Sequence, residues 1–419
     1  MTSRDWSSDV CSSDLKQKSS PTRVLRYAAL AAAFSLAAAA VPLTAGADGL
    51  AEESWLAEEE TVVTTAQAQE IPAKSAILMD AESGQLLFEK NAHEKMPPAS
   101  ITKIMTLLLV MEAIENGSIG WDDMVSCSEH AASMGGTQIW LEPGEEMRLE
   151  DLIKAAAVNS ANDASMALAE YVAGSEGAFV DLMNARAKEL GMKDTTFVNP
   201  TGLDAEGHLS CAYDIALMSR ELLRHSDITK YTTIWMDSLR DGKTGLTNTN
   251  KLVRFYEGCT GLKTGTTDGA GSCLSASATR QGLSLIAVSM GSTTSDERFA
   301  SCRTLLNYGF SSFESFTPEV PQEELAPISV TRGVQETVPL TLSSTGPILI
   351  AKGKSGEVIR TVELELEAEA PVAEGQQLGQ ASFTLDGRVL AEIPILAGCE
   401  VKRMSFSTAF SMLLQSLLG

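Results

Sequence analysis

The sequence is short of basic residues and of metal-binding motifs. Its 419 residues include 32 Lys and Arg against 55 Asp and Glu, which gives a formal net charge of −23. A nucleic-acid-binding protein needs a basic surface that neutralises phosphates, so this composition argues against nucleic acid as a partner. The seven cysteines and four histidines form no CxxC or HExxH motif, which argues against a structural zinc site.

Hydrophobic residues make up 44% of the chain, enough to form folded cores. A single core rarely grows beyond about 250–300 residues, so the length predicts two domains. One segment carries acidic residues without Lys or Arg, and a later one is rich in Pro and Glu. We expect a leader with a signal peptide at 1–47, an acidic spacer at 48–70, a first globular domain at 71–312, a linker at 313–326, a β-sandwich at 327–400 and an amphipathic helix at 401–419.

The N-terminal segment has the pattern of a secretory signal peptide. Basic residues precede an apolar run at 27–41, and Ala45-Gly46-Ala47 follows as a candidate cleavage site. These basic residues are Lys16, Lys18, Arg23 and Arg26. The alternative, a transmembrane anchor, needs about 20 apolar residues, more than this run contains. Residues 1–15 repeat Ser-Ser-Asp and are interpreted as non-native, which leaves six cysteines in an exported chain and no spacing that identifies a disulfide.

Hydrophobic periodicity predicts a helical block inside a sheet-forming domain. Residues 104–111 are apolar nearly all round, which predicts a buried helix beginning near Ser100. Further helices are predicted between 149 and 225 and at 297–306, and strands at 75–79, 85–88, 271–278 and 283–290. In the tail, Val362, Leu364 and Leu366 alternate with glutamates, which predicts one half-buried strand.

Ser100 and Lys103 are three residues apart on the predicted helix and therefore lie on one face. A serine hydroxyl needs a base to become a good nucleophile, and a lysine kept neutral by burial can be that base. Ser-x-x-Lys alone is weak evidence, since Ser13 and Lys16 form a second copy in the leader. The alternative is an N-cap serine followed by a solvated lysine. The preceding Pro-Pro and the buried helix favour the first interpretation.

A second motif, Ser160-Ala161-Asn162, lies between two predicted helices. A turn between helices can project a hydroxyl and an amide into a cleft, although both residues could instead simply cap helices.

Lys-Thr-Gly occurs twice. The copy at Lys243 is followed by turn residues and is expected on a surface loop, whereas the copy at Lys263 leads into a predicted strand. Because glycine at a strand edge allows a ligand to approach the backbone closely, we choose Lys263.

Together, the three elements resemble the motifs of the penicillin-recognising serine enzymes. The closer resemblance is to the D-alanyl-D-alanine carboxypeptidases, the low-molecular-mass penicillin-binding proteins. It rests on the three motif segments 97–106, 159–164 and 261–267, and on the segment 197–204 with His208. The resemblance covers about residues 72–312. It implies an α/β (α+β) catalytic domain of the serine β-lactamase and penicillin-binding-protein type, with an all-helical lobe. The β-rich tail fits the family's small all-β C-terminal domain.

The resemblance also implies roles for single residues. Ser100 would attack the carbonyl between two D-alanines of the peptidoglycan pentapeptide, Lys103 would be the base, and Ser160 would relay a proton to the leaving amine. Water would then hydrolyse the acyl-enzyme. The implied substrate-binding residues are Asn162, Lys263, Thr264, Gly265, Thr266 and Arg298, and the N–H groups of Ser100 and Thr266 would form the oxyanion hole. Arg298 could instead be a surface helix charge. No metal or organic cofactor is implied.

Two other function classes share these motifs. A class A β-lactamase has them, but its chain is one domain, and it deacylates with a glutamate in a loop that this sequence does not identify. A module that binds β-lactams or the wall and deacylates slowly would also keep them. We expect a carboxypeptidase of peptidoglycan biosynthesis and cell shape that β-lactams inhibit by acylation.

The last residues predict attachment to a membrane. Apolar residues recur at helical spacing behind Lys402-Arg403, on a segment too short to span a bilayer comfortably. They are Phe406, Phe410, Leu413, Leu414 and Leu417. Such a helix suits the membrane interface, which would place an exported enzyme peripherally on the outer, extracellular or periplasmic face of the cytoplasmic membrane. The alternative is a helix packed back on the β-domain.

Overall fold

In the computed structural model, the described residues are 22–27, 71–343 and 345–418. They divide into two compact units, a larger one of 71–316 with 349–353 and a smaller one of 22–27, 317–348 and 354–418. Most of the predicted signal peptide, its cleavage site and the acidic spacer lie outside the described residues. Arg23 and Arg26 fall in a described strand, Thr22–Tyr27, which pairs antiparallel with Ile359–Glu365.

An antiparallel sheet of five strands forms the centre of the larger unit. In spatial order its strands are Leu86–Lys90, Ser75–Asp80, Leu283–Ser292, Gly271–Arg280 and Cys259–Thr267. The alternation of side chains sends Leu285 and Ala287 to one core, and Ile286 and Val288 to another. The first core includes residues of a helix that covers one face of the sheet. The second core joins the other face of the sheet to a helical lobe.

The helix behind the sheet, Ser295–Ser312, is longer than the predicted 297–306. It starts earlier because Thr294 and Glu297 form a capping box, in which each side chain accepts a hydrogen bond from the backbone N–H of the other residue. It ends later because Tyr308 and Phe310 are buried in the core of this face.

The helical lobe contains a deeply buried helix. A 3-10 turn, Ala99–Thr102, precedes this helix, Lys103–Glu115, so the α-helix begins three residues after Ser100. The other longer helices of the larger unit are Asn162–Ala173, Glu176–Glu189 and Ala212–Arg224, and shorter helical segments are Glu129–Ala132, Leu149–Lys154, Ala155–Asn159, Ser226–Ile228, Thr229–Thr232 and Leu252–Phe255. The larger unit also contains two small antiparallel sheets of two strands each, Met124–Ser126 with Glu146–Arg148 and Met236–Leu239 with Thr244–Thr247.

The smaller unit is all β apart from short helical turns and its last helix. Its five-stranded sheet contains Thr22–Tyr27, Ile359–Glu365, Gln377–Leu385, Arg388–Ala397 and Leu340–Leu342 in spatial order. A three-stranded sheet contains Thr337–Val338, Ile328–Thr331 and Glu367–Glu369. The chain ends in the helix Phe406–Leu418.

One expectation for the tail needs correction. The single strand predicted through Leu366 stops at Glu365, because the chain leaves one sheet there and joins the other, so that Ala368 is buried and Leu366 is exposed. The segment predicted as a linker contains the strand Phe313–Phe316 and the 3-10 turn Gln322–Glu324.

Candidate active site

Ser100 and Lys103 lie together at the start of the buried helix. The 3-10 turn leaves Ser100 partly exposed and Lys103 completely buried. Lys103 Nζ lies 3.0 Å from Ser100 Oγ. The solvated lysine of the alternative interpretation is therefore wrong. Two further acceptors surround the amine, Asn162 Oδ1 at 2.5 Å and the backbone oxygen of Thr201 at 2.6 Å.

The environment of Lys103 disfavours the ammonium form. Burial holds the pKa of Lys103 well below its ordinary value of 10.5, and the positive charge of Lys263 adds to this effect. The Asp163 carboxylate acts in the opposite direction. Asp163 is itself buried and accepts hydrogen bonds from the backbone N–H groups of Ile139 and Leu141.

The Ser160 motif lies on a strained turn. A π-helical segment, Ala155–Asn159, ends at Ser160, whose backbone is left-handed with φ +63°. Such a conformation is unfavourable for a non-glycine residue and is frequent at functional sites. The helix that follows, Asn162–Ala173, has Ala161 as its N-cap and no side-chain cap. Capping is therefore not what these two side chains do: Asn162 contacts Lys103, and its Nδ2 donates to the Gly135 oxygen at 2.6 Å.

The second Lys-Thr-Gly copy lies on an edge strand of the central sheet, Cys259–Thr267. This strand runs along the Ser100 turn, because a Cβ atom at Gly265 would come within 2.9 Å of Pro98 O and 3.0 Å of Ala99 Cβ. Glycine at 265 therefore allows the Ser100 turn to approach the strand closely. We expected a ligand to make this close approach instead.

Two cations stand on or behind this strand. Lys263 is buried and its Nζ donates to the Thr264 oxygen at 3.0 Å. Burial, with Arg298 nearby, lowers the pKa of Lys263 to about 7. Arg298 is also buried, and its Nη1 donates to Gly265 O at 3.0 Å and Thr266 Oγ1 at 2.8 Å. The alternative of a surface helix charge at Arg298 is therefore wrong.

The first Lys-Thr-Gly copy lies elsewhere and is only partly as predicted. Lys243 is exposed in a turn, but the next residues form the strand Thr244–Thr247 rather than a loop. The residues after that strand return to the site. Asn250 Nδ2 donates to Gly261 O at 2.9 Å, and Thr264 Oγ1 donates to Thr249 Oγ1 at 2.7 Å.

Sequence profiles of known families match both parts of the chain. Residues 62–294 match the D-alanyl-D-alanine carboxypeptidase family, and residues 313–403 match the C-terminal domain of penicillin-binding protein 5. A curated relative, D-alanyl-D-alanine carboxypeptidase DacF of Bacillus subtilis (strain 168), is 46% identical over 80% of this chain and 87% of its own. The chain belongs to the D-alanyl-D-alanine carboxypeptidase family.

Solved structures agree with this membership. Penicillin binding protein 5 from Haemophilus influenzae is 32% identical with a TM-score of 0.67, over 80% of this chain and 98% of its own. Penicillin-Binding Protein D2 from Listeria monocytogenes, solved in an ampicillin-bound form, is 33% identical with a TM-score of 0.51, over 57% of this chain and 98% of its own. The predicted fold class is confirmed, and the protein is a serine-type D-Ala-D-Ala carboxypeptidase by family. The β-lactamase alternative has no better support.

The resemblance did not supply every residue around the carboxypeptidase site. The Thr201 carbonyl is a backbone group, and no side-chain motif predicts its position. Asp163 follows Asn162, and Thr249 lies shortly after the first Lys-Thr-Gly copy. The burial of the Asp163 carboxylate and the hydroxyl contact of Thr249 could be found only from the fold. His208 belongs to the family-like segment, and its Nε2 lies 2.8 Å from Thr102 Oγ1.

Metal ligands are sparse in the described part of the chain. One cluster, His93, Asp194 and Cys211, has ligand atoms within 4.8 Å of one another. It includes none of the residues around Ser100, and the Lys95 ammonium already lies 3.4 Å from the Asp194 carboxylate.

The cost of burying Lys263 predicts a pH-dependent stability. The pKa of Lys263 is about 7 in the folded protein and 10.5 at its ordinary value. Between these pH values the unfolded chain keeps a proton on Lys263 that the folded protein has lost. The free energy of unfolding therefore rises with pH through that window. Lys263→Met should therefore raise the free energy of unfolding at pH 7 by roughly 1–4 kcal/mol, with a smaller gain near pH 10. Urea unfolding at both pH values measures this difference.

Lys243→Met is the matched control, because Lys243 is exposed in the other Lys-Thr-Gly copy. It should change stability little at either pH. A Lys263→Met protein less stable than the wild type at pH 7 would contradict the interpretation.

Proposed function

We propose that Ser100 is the nucleophile and Lys103 the general base of this carboxypeptidase, acting on the terminal D-alanine of peptidoglycan stem peptides. The observation that carries the proposal is the set of three contacts of Lys103 Nζ. A neutral amine has two N–H bonds and one lone pair. Asn162 Oδ1 and the Thr201 carbonyl can only accept, so they take both N–H bonds. The lone pair is then left for the Ser100 hydroxyl proton.

The reaction follows from this arrangement. Ser100 Oγ gives its proton to Lys103 Nζ and bonds to the carbonyl carbon of the penultimate D-alanine. The bond from that carbon to the terminal amide nitrogen then breaks, and the nitrogen receives the proton of Lys103 through Ser160. Water hydrolyses the resulting ester, which returns the proton to Ser100 and releases the shortened peptide. The left-handed turn at Ser160, two residues before the Lys103 partner Asn162, supports this role.

In this proposal, the edge strand Cys259–Thr267 carries the groups that bind the substrate. Lys263, Thr264 and Thr266 would bind the substrate's terminal carboxylate, and an anion there would favour the ammonium form of Lys263. Arg298 donates to Thr266 Oγ1 and so orients that hydroxyl while adding positive charge. The backbone N–H groups of Ser100 and Thr266 would stabilise the oxyanion, because the strand lies against the Ser100 turn at Gly265.

The same nucleophile should open a β-lactam ring and form a stable ester. We therefore expect labelled penicillin to attach to the wild type and not to Ser100→Ala, and we expect the wild type to release D-alanine from a D-Ala-D-Ala peptide. Lys103→Ala should lose both reactions, since nucleophile and base act as a unit. Gel detection of the label and a D-alanine assay measure the two reactions.

Label on Ser100→Ala would refute the assignment of the nucleophile. A wild type that is labelled but releases no D-alanine would favour the slow-deacylating module instead.

A second prediction separates the two Lys-Thr-Gly copies by activity. Lys263→Ala should reduce kcat/KM for the peptide by about 10²-fold or more, because it removes a charge from the proposed carboxylate site. Lys243→Ala should be nearly neutral, since Lys243 is exposed on the other hairpin. Equal losses in the two variants would contradict the choice of Lys263.

We further propose the domain limits and location given by the sequence. The catalytic domain would span 71–312 and the β-domain 327–400, after an export signal that is removed. The C-terminal helix supports peripheral attachment, because its large apolar residues are exposed, with Phe406 88% and Leu417 75% exposed. Among the described residues, no helix is both long and apolar enough to cross a bilayer.

Removal of residues 404–419 tests the attachment. The mature chain should bind liposomes that contain anionic lipid, and the shortened chain should stay in solution with unchanged turnover of a soluble peptide. Because the helix carries no charged residue, binding should rest on apolar burial and persist at high salt. Sedimentation with liposomes measures binding, and a mature chain that stays in the supernatant would end the proposal.

A further inference from the structure

His208 is a buried histidine with a partner at each ring nitrogen. Its Nδ1 lies 3.0 Å from the backbone nitrogen of Val198, and its Nε2 lies 2.8 Å from Thr102 Oγ1. A backbone N–H can only donate, so Nδ1 is the acceptor and the ring proton is on Nε2. The Nε2–H therefore donates to the Thr102 hydroxyl. The ring is fixed in one tautomer by these two bonds.

The two partners belong to the two segments that meet at Lys103. Thr102 lies in the Ser100 turn, directly before Lys103. Val198 begins a loop, 198–202, whose Thr201 carbonyl accepts one N–H of Lys103. His208 thus connects the turn that carries the serine with the loop that contacts the base.

The loop has other ties to the same helix and turn. Pro200 O accepts a hydrogen bond from Thr106 Oγ1 at 2.6 Å. Gly202, with φ +84°, packs so closely that a Cβ atom there would lie 1.9 Å from Ala99 O. Asn199 Oδ1 accepts from the backbone nitrogens of Thr201 and Gly202, which fixes the shape of the loop. Only His208 joins the first residue of the loop to a side chain of the Ser100 turn among these ties.

We propose that His208 is a positioning residue for the acylation step. It holds loop 198–202 against the Ser100 turn, so that the Thr201 carbonyl occupies one N–H of Lys103 and the lone pair stays on the Ser100 hydroxyl. His208 does not reach the reacting atoms, and its effect passes through Thr102 and the loop. The inference rests on the proposed role of Lys103 as base.

A neutral imidazole is needed for this arrangement, because a protonated ring has no acceptor for the Val198 N–H. Burial lowers the pKa of His208 to about 4, although the Asp204 carboxylate acts in the opposite direction. The bridge is therefore intact at neutral pH.

The test compares His208→Ala, His208→Gln and Thr102→Val in the full mature chain. Stopped-flow acylation by a fluorescent penicillin gives a limiting rate and a half-saturating concentration, and the final label per chain gives the fraction of folded sites. Rates are compared per folded site. His208→Ala and Thr102→Val should each lower the limiting rate by about 10-fold to 100-fold with little change in the half-saturating concentration.

Two further variants sharpen the comparison. A glutamine amide can replace the Nε2–H donor to Thr102, so His208→Gln should recover most of the rate. The double variant His208→Ala with Thr102→Val should be no slower than the slower single variant, because both changes break the same bridge. His225→Gln changes the other buried histidine and should leave the acylation rate near that of the wild type.

The inference fails if His208→Ala acylates at the wild-type rate per folded site, or if the losses in the double variant multiply. It also fails if the whole effect lies in the half-saturating concentration. Failure of the proposed function looks different, since the wild type would then not be acylated or Ser100→Ala would still be labelled.

Discussion

The ε-amine of Lys103 lies between an amide oxygen, a backbone carbonyl and a serine hydroxyl, and burial keeps solvent from it. Each of these groups comes from a different part of the chain. The hydroxyl is on the 3-10 turn, the amide begins the helix Asn162–Ala173, and the carbonyl is on loop 198–202. The geometry of the site therefore depends on how the helical lobe packs around one amine.

Burying that amine is unfavourable for the fold, and the surrounding charges increase the cost. Lys263 contributes to the lowered pKa of Lys103, and Arg298 contributes in the same way to that of Lys263. Asp163 is the acid that acts in the opposite direction on Lys103. A site built this way is ready for an anionic substrate, whose carboxylate would relieve part of the repulsion. Stability and function are expected to oppose each other here.

The three motifs and their order could be identified directly in the sequence. The sheet-and-helix organisation could be predicted because it depends on side-chain types and local periodicity. The choice of Lys263 over Lys243 stays a prediction: Lys263 lies within the strand Cys259–Thr267 beside the Ser100 turn, and Lys243 lies in an exposed turn before the strand Thr244–Thr247. The Thr201 carbonyl could not be predicted, because a backbone acceptor leaves no trace in residue type. The interruption at Leu366 was missed as well. Alternation of apolar residues shows which face is buried, but not where a chain passes from one sheet to another.

The proposed base is a Lys103 amine that is neutral at neutral pH, with its lone pair directed at the Ser100 hydroxyl. NMR titration of the Lys103 Cε resonance in protein carrying ¹³C-lysine, assigned with Lys103→Arg, measures this directly. We expect an uncharged amine at pH 7 and no titration step near 10.5. An ammonium at pH 7 that loses its proton near the ordinary lysine pKa would contradict it.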